Sequence, residues 1–180
     1  MVVVSETNQS NVTPLLSLLS YKIQTLQMER TFFITSITAQ RRTIFQRDST
    51  ANLLIEVLLH YRADKKYLLH QFVIMPDHFH ALITPSPDVS LERAAQFIKG
   101  GFSFRLKSRF PVWQPSFTNH RIRGANDFGQ HREYIYMNPV RAGLAQRPED
   151  YPFSSATGRF ILDFAPQGLK PDVESVRTPA

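Results

Sequence analysis

The sequence predicts an α+β fold, an antiparallel sheet with helices packed on it. Three observations carry this. Residues 67–75 (YLLHQFVIM) and 78–84 (HFHALIT) are aliphatic, aromatic and β-branched runs separated only by Pro76-Asp77, the pattern of an antiparallel hairpin. Residues 51–62 (ANLLIEVLLHYR) space their apolar side chains as a helix does. A second helical stripe recurs at Leu91, Ala95, Ile98, Phe102 and Leu106. With a strand ahead of the first helix and another after the second, the order becomes β-α-β-β-α-β. That is a split βαβ unit of the ferredoxin- or RRM-like kind, with about four to five strands.

Each element has a local cause. Residues 31–38 (TFFITSIT) are β-branched and aromatic, hence the first strand. Asp48-Ser49 stands as the cap of the first helix, and Ser90 as the cap of the second. Gly100-Gly101 falls inside the second helix, a costly pair unless the backbone there approaches something closely. Residues 111–117 (PVWQPSF) read as the extended piece that closes the sheet. Residues 127–137 (DFGQHREYIYM) form a third helix, which Asn138-Pro139 is expected to break. VRAGL then reads as a short turn, with Asn138 as its cap, Pro139 at its first position and Gly143 past its end.

These elements make one domain over 29–160. Residues 1–28 read as a poorly ordered N-terminal extension, with Met28 an alternative start to Met1, and residues 161–180 as a flexible tail with three prolines. No apolar run approaches the roughly 18 residues of a membrane span, and residues 1–20 lack the basic and apolar regions of a secretory signal. A cytoplasmic protein without a membrane partner is expected. Cysteine is absent, so any metal site must use imidazole, carboxylate, amide or water.

The net charge of +6 favours an anionic partner, nucleic acid first. It is concentrated in residues 90–123, where Arg93, Lys99, Arg105, Lys107, Arg109, Arg121 and Arg123 face a single acidic residue, Glu92. Phe102, Phe104, Phe110, Trp113 and Phe117 are interleaved with them. Cations with aromatics suit a nucleic-acid strand, through phosphate contacts and base stacking; a helix with one basic and one buried aromatic face has the same composition.

His78 and His80 flank Phe79 on the second hairpin strand. Strand alternation turns both imidazoles to one face, with Phe79, Ala81 and Ile83 on the other. Two imidazoles so placed can share a divalent cation at about 2.1 Å, or be two strand histidines bonded to their neighbours. Asp77, adjacent but in the turn, reads as a turn residue.

The ordered set MPDHFHALI (75–83) and YIYMNPVRAGL (134–144), with RTFFITSITAQRRTIF, FIKGGFSFRLK, HRIR and YPFSS between and around them, resembles the HUH single-tyrosine transposases, specifically the REP-associated tyrosine transposase group. The resemblance covers about residues 29–155. It implies an enzyme that cuts and rejoins single-stranded or hairpin DNA beside short palindromes. His78 and His80 would bind Mg²⁺ or Mn²⁺, Asn138 would be the third ligand, and Tyr134 would attack the scissile phosphate to leave a 5′-phosphotyrosine and a 3′-OH. The chemistry is coherent: a tyrosine of pKa near 10 is a poor nucleophile at neutral pH, and a nearby cation both favours the phenolate and polarises the phosphate. Tyr134 and Asn138, at i and i+4, share a helix face. Tyr136 is the rival nucleophile. His131 lies one turn before Tyr134, and His60, His70 and His120 read as structural or DNA-contacting. Many relatives carry Asp before HRIR, where this chain has Asn119. Lys99, Arg105, Lys107, Arg121 and Arg123 are the expected phosphate contacts, and a monomer is expected, with a dimer as the alternative. Two other readings compete: a catalytically inactive, domesticated binding module, and a metal hydrolase unrelated to DNA.

Overall fold

The computed structural model describes residues 30–166. β1 (Phe32–Ile37) is followed by α1 (Asp48–Ala63), the hairpin β2 (Tyr67–Met75) and β3 (His78–Pro85), α2 (Leu91–Leu106), β4 (Thr118–Arg121) and α3 (Ala125–Arg141). The sheet order is β2-β3-β1-β4, and every pairing is antiparallel. β3 lies between β1 and β2, so the first βαβ unit is split, as the element order requires. Among the described residues no helix is long and apolar enough to cross a membrane.

Alternation along the strands assigns each side chain to a layer. Ile34 of β1 and Phe79, Ala81 and Ile83 of β3 pack with Leu54 and Leu58 of α1, Ile98 and Phe102 of α2, and Trp113. Burying a side chain such as Phe79 or Phe102 contributes roughly 1.5–3 kcal/mol. On the opposite face Val73, Met75 and Leu82 meet Phe128 and Ile135 of α3, together with Ile122 and Tyr151. Phe33 packs against this second cluster. The two histidines of β3 therefore look towards α3, away from the main core.

Four expectations change. The closing strand is β4 at Thr118–Arg121 rather than residues 111–117, which contribute only a bridge between Trp113 and Thr38. β4 reads TNHR and is exposed throughout, so no apolar alternation marks it; its pairing with β1 is a backbone matter. α1 begins at Asp48, with extended Arg47 as its cap residue and no side-chain cap bond. Asp48 instead places its charge in the first turn, where the helix dipole favours an anion. Third, Asn138-Pro139 does not break α3, and Asn138 is not a cap. A proline removes its own N–H, here the one that would have met the Ile135 carbonyl. The helix survives because buried Pro139 packs into the fold and the turns after it close normally: the amides of Gly143 and Leu144 donate to the carbonyls of Val140 (3.0 Å) and Pro139 (2.8 Å). With Gly143 at φ 69° this is the Schellman ending that the glycine's position foretold. Fourth, residue 163 is anchored: the Arg62 guanidinium donates twice to the Asp163 carboxylate at 2.8 and 2.9 Å, and the Leu69 amide donates to it at 2.8 Å. The expected N-terminal extension and residues 167–180 lie outside the described residues.

Ser90 caps α2 as expected, accepting from the Arg93 amide at 3.1 Å. The glycine pair in α2 divides. A Cβ on Gly101 would stand 2.6 Å from the Tyr61 ring, whereas one on exposed Gly100 would meet nothing within 4 Å. Gly100→Ala should therefore raise stability by about 0.5–1 kcal/mol, the ordinary helical gain, and Gly101→Ala should lower it. Urea unfolding of the two variants checks this; a loss at Gly100 would mean that its backbone freedom is used elsewhere.

Candidate active site

The site begins with the register of β3. His80 pairs with Thr35 of β1 and Val73 of β2, which places it inside the sheet and buried. His78 stands beside the hairpin turn and is half-buried. Their rings meet edge-on with centroids 4.8 Å apart, so the same-face placement read from alternation holds.

Each imidazole is oriented by a different partner. His80 Nδ1 lies 2.7 Å from Thr35 Oγ1. Its Nε2 is buried and has no hydrogen-bond partner among the described residues. Burial, helped by the charge of His78 and opposed by Asp77, drives the His80 pKa down to about 3, so the ring is neutral at physiological pH. His78 Nδ1 lies 2.5 Å from Asp77 Oδ1. An ionised carboxylate only accepts, so Nδ1–H donates, and Nε2 is the ring nitrogen that Asp77 does not engage. Arg41 donates to the other Asp77 oxygen at 3.1 Å. Partial burial pushes the Asp77 carboxyl up, but His78 and Arg41 outweigh it and hold the group below its ordinary value. Asp77 thus does more than shape the turn.

α3 supplies the rest. The Tyr134 ring, 39% exposed, meets His80 edge-on at 5.3 Å and Phe33 at 5.7 Å. The Arg141 guanidinium lies 5.9 Å from the same ring's centroid. Asn138, one turn after Tyr134, is half-buried on the same face. Tyr136 points elsewhere: its hydroxyl donates to the Glu149 carboxylate, and that bond raises its pKa. His78, His80 and Tyr134 therefore converge, and Tyr136 does not join them. Two neighbouring imidazoles, one with an orphaned Nε2, and an amide one helical turn from the tyrosine are ligands that a divalent cation could share with water and phosphate oxygen, Mn²⁺ more readily than Mg²⁺.

A second cluster lies across Phe33. His120 of β4 and His131 of α3 both reach Asp127, at 2.9 Å each. The Arg123 amide donates to the same carboxylate at 2.8 Å. Partial burial raises the Asp127 pKa, and His120, the Arg123 amide and His131 together bring it below the ordinary carboxylate value. Sequence reasoning passed over Asp127, looking for an acidic group at Asn119; the usable signal was Asp127 and His131 at i, i+4 on one helix face. Of the remaining histidines, buried His70 bonds Thr84 Oγ1 at 2.8 Å, and exposed His60 pairs with Asp64 at 3.6 Å.

The basic stretch separates into different roles. The Lys99 ammonium is partly buried, which lowers its pKa, and donates to the carbonyls of Gln114 (2.9 Å), Ser116 (3.1 Å) and Pro115 (3.5 Å). It fastens the loop before β4 rather than facing outward. Arg105 pairs with Glu56 at 2.5 Å. Lys107, Arg109, Arg121 and Arg123 are exposed. Of the interleaved aromatics, Phe102 and Trp113 are core, while Phe104 and Phe110 are 84% and 71% exposed.

A sequence profile of the family described as "Transposase IS200 like" matches residues 28–138. The chain is 31% identical over 121 residues to the REP-associated tyrosine transposase of Escherichia coli strain K12, covering 63% of this chain and 72% of that protein. Its fold is similar to the solved structure of a REP-associated tyrosine transposase bound to a REP hairpin, with a TM-score of 0.62 and 28% identity over 76% of this chain and 86% of that one.

The orienting bonds carry a measurable consequence. Thr35→Val and Asp77→Ala each remove the partner that fixes one imidazole, and should weaken Mn²⁺ binding about 10- to 100-fold while leaving the far-ultraviolet circular dichroism unchanged. Electron paramagnetic resonance titration with Mn²⁺ reads this directly; unchanged affinity in both variants would show that the histidines need no such support.

Proposed function

The chain belongs to the IS200-like transposase family, and on that premise we propose that it nicks and rejoins single-stranded DNA at REP-like palindromes through a 5′-phosphotyrosine on Tyr134. The observation that carries this reading is the meeting of the Tyr134 ring with His80, whose buried Nε2 has no partner among the described residues. A relative of similar fold is bound to a REP hairpin, which supports hairpin DNA as the partner.

The residues have separable tasks. A divalent ion, when held by His78, His80 and Asn138, would supply the positive charge that polarises the scissile phosphate and favours the phenolate. Tyr134 Oη attacks phosphorus, the bond from phosphorus to the 3′ oxygen breaks, and that oxygen leaves with a proton as a 3′-OH. The phosphodiester is conserved in the tyrosine ester, so a 3′-OH attacking it reverses the step and joins strands without a nucleotide cofactor. Phe33 forms a wall against both the Tyr134 and His80 rings, which limits the orientations of the nucleophile. Arg141, over the tyrosine ring, places a permanent cation beside the developing charge. Lys107, Arg121 and Arg123, with Arg105 once released from Glu56, meet backbone phosphates, and exposed Phe104 and Phe110 offer surfaces for unpaired bases.

Incubation with hairpin DNA bearing a flanking single strand, with Mn²⁺ or EDTA, should yield a covalent protein–DNA adduct on a denaturing gel only with the metal. Tyr134→Phe and His80→Ala should abolish the adduct, Tyr136→Phe should retain it, and Tyr134→Phe should still bind the hairpin. An adduct surviving Tyr134→Phe would sink the assignment; tight binding by the wild type with no adduct on any hairpin would favour a binding module. For the grip on DNA, Lys107→Ala and Arg123→Ala should each reduce the slope of log affinity against log salt by about one, as read by fluorescence anisotropy across a salt series. Unaltered slopes in both would remove them from the interface.

A further inference from the structure

We propose that His120, Asp127 and His131 form a second divalent metal site, for a borderline transition ion such as Zn²⁺, Co²⁺ or Mn²⁺, separate from the His78–His80 pair. Two elements build it. His120 lies on the exposed edge strand β4, and Asp127 and His131 stand one turn apart in the first half of α3. The three donor atoms lie within 4.8 Å of one another. His120 Nε2 and His131 Nδ1 each stand 2.9 Å from an Asp127 carboxylate oxygen. Ligands bound to one ion at about 2.1 Å are themselves about 3 Å or slightly more apart, so the donors already hold nearly that spacing. An ion entering here takes the place of the two N–H protons that now face the carboxylate, and each neutral imidazole then carries its proton on its other ring nitrogen. His131 also gives up its 2.9 Å contact with the Asp127 carbonyl.

Ring geometry says which ligand must adjust. The His120 and His131 rings stack with centroids 4.5 Å apart and planes 17° from parallel. An ion must lie near the plane of each imidazole it binds, so one ring has to turn. His120, the more exposed of the two at 45% against 22%, is the one with room to do so. Two imidazoles and one carboxylate select transition ions over Mg²⁺, and three protein ligands leave a position for water or a phosphate oxygen. The Phe33 ring divides this cluster from the catalytic pair, with its centroid 5.1 Å from His80 and 4.9 Å from His131. The two sites share a wall and no ligand. An ion here would tie a four-residue edge strand to the helix that carries Tyr134 and Asn138.

The test uses the full chain carrying His78→Ala and His80→Ala, which leaves the proposed site intact. Zn²⁺ titrated calorimetrically into this metal-stripped variant should still bind one ion per chain and raise its melting temperature. Adding Asp127→Asn should weaken that binding by at least about tenfold and abolish the thermal shift. His131→Gln in the same background is the second arm, should Asp127→Asn compromise folding. Co²⁺ should show d–d absorption bands in the His78/His80 double variant that His131→Gln removes. The proposal is overturned if the double variant binds no Zn²⁺, or binds it equally well after both further substitutions.

Discussion

The bond between Thr35 and His80 crosses from β1 to β3 in the interior of the sheet, and the site is organised around it. Strand register leaves no freedom here, because a slip of one residue would send every β3 side chain to the other face. His80 would then enter the α1–α2 core, and Phe79 would replace it under Tyr134. The native register seals a polar nitrogen, His80 Nε2, with no hydrogen-bond partner among the described residues. An unsatisfied buried polar group costs about 1–3 kcal/mol. A core built only for stability would put a leucine there, as β3 itself does at Leu82, which faces the same side. The sheet instead keeps a neutral imidazole whose Nε2 no group of the described residues engages, and when Nδ1–H donates to Thr35 Oγ1 that nitrogen has the free lone pair a metal ligand requires.

The second requirement is that α3 hold the Tyr134 ring against that imidazole. Phe128 and Ile135 anchor the helix on Val73, Met75 and Leu82. Tyr151 reinforces the same face, its hydroxyl donating to the Ile74 carbonyl at 2.9 Å. Pro139 is buried one residue beyond Asn138, and its missing N–H leaves the carbonyl one residue after Tyr134 without its usual partner. A helix that tolerates this next to its functional face owes its stability to tertiary packing more than to propensity.

Much of this was legible because it follows from periodicity. The hairpin, the two helices before β4, the facing of His78 and His80, and the i, i+4 relation of Tyr134 and Asn138 are all consequences of periods of two and 3.6. What escaped was set by packing or backbone pairing. β4 is polar and exposed, so its sequence resembles a loop and only the free edge of β1 makes it a strand. Pro139 reads as a stop in isolation and is overruled by burial. Lys99 reads as a surface cation, yet three loop carbonyls claim it. Asp127 and His131 share a helix face by spacing alone, but the meeting of Asp127 with His120 depends on β4 bringing that histidine beside the start of α3.

The partition of the basic stretch also bears on how binding and chemistry are joined. Lys99 holds the loop that delivers the chain from α2 to β4, and the Trp113 indole donates to the Lys99 carbonyl at 3.0 Å, closing the same loop from the other side. The outward cations thus fall into two groups on either side of that knot: Lys107 and Arg109 after α2, and Arg121 and Arg123 around the end of β4. Only the second group adjoins α3, through the Arg123 amide on Asp127. On the proposed reading, a strand gripped by both groups spans the loop between α2 and β4 and is delivered to the helix face that carries Tyr134. The +6 charge of this chain is then better understood as two points of attachment than as a uniform basic surface, with the partly buried Lys99 fastening the loop between them.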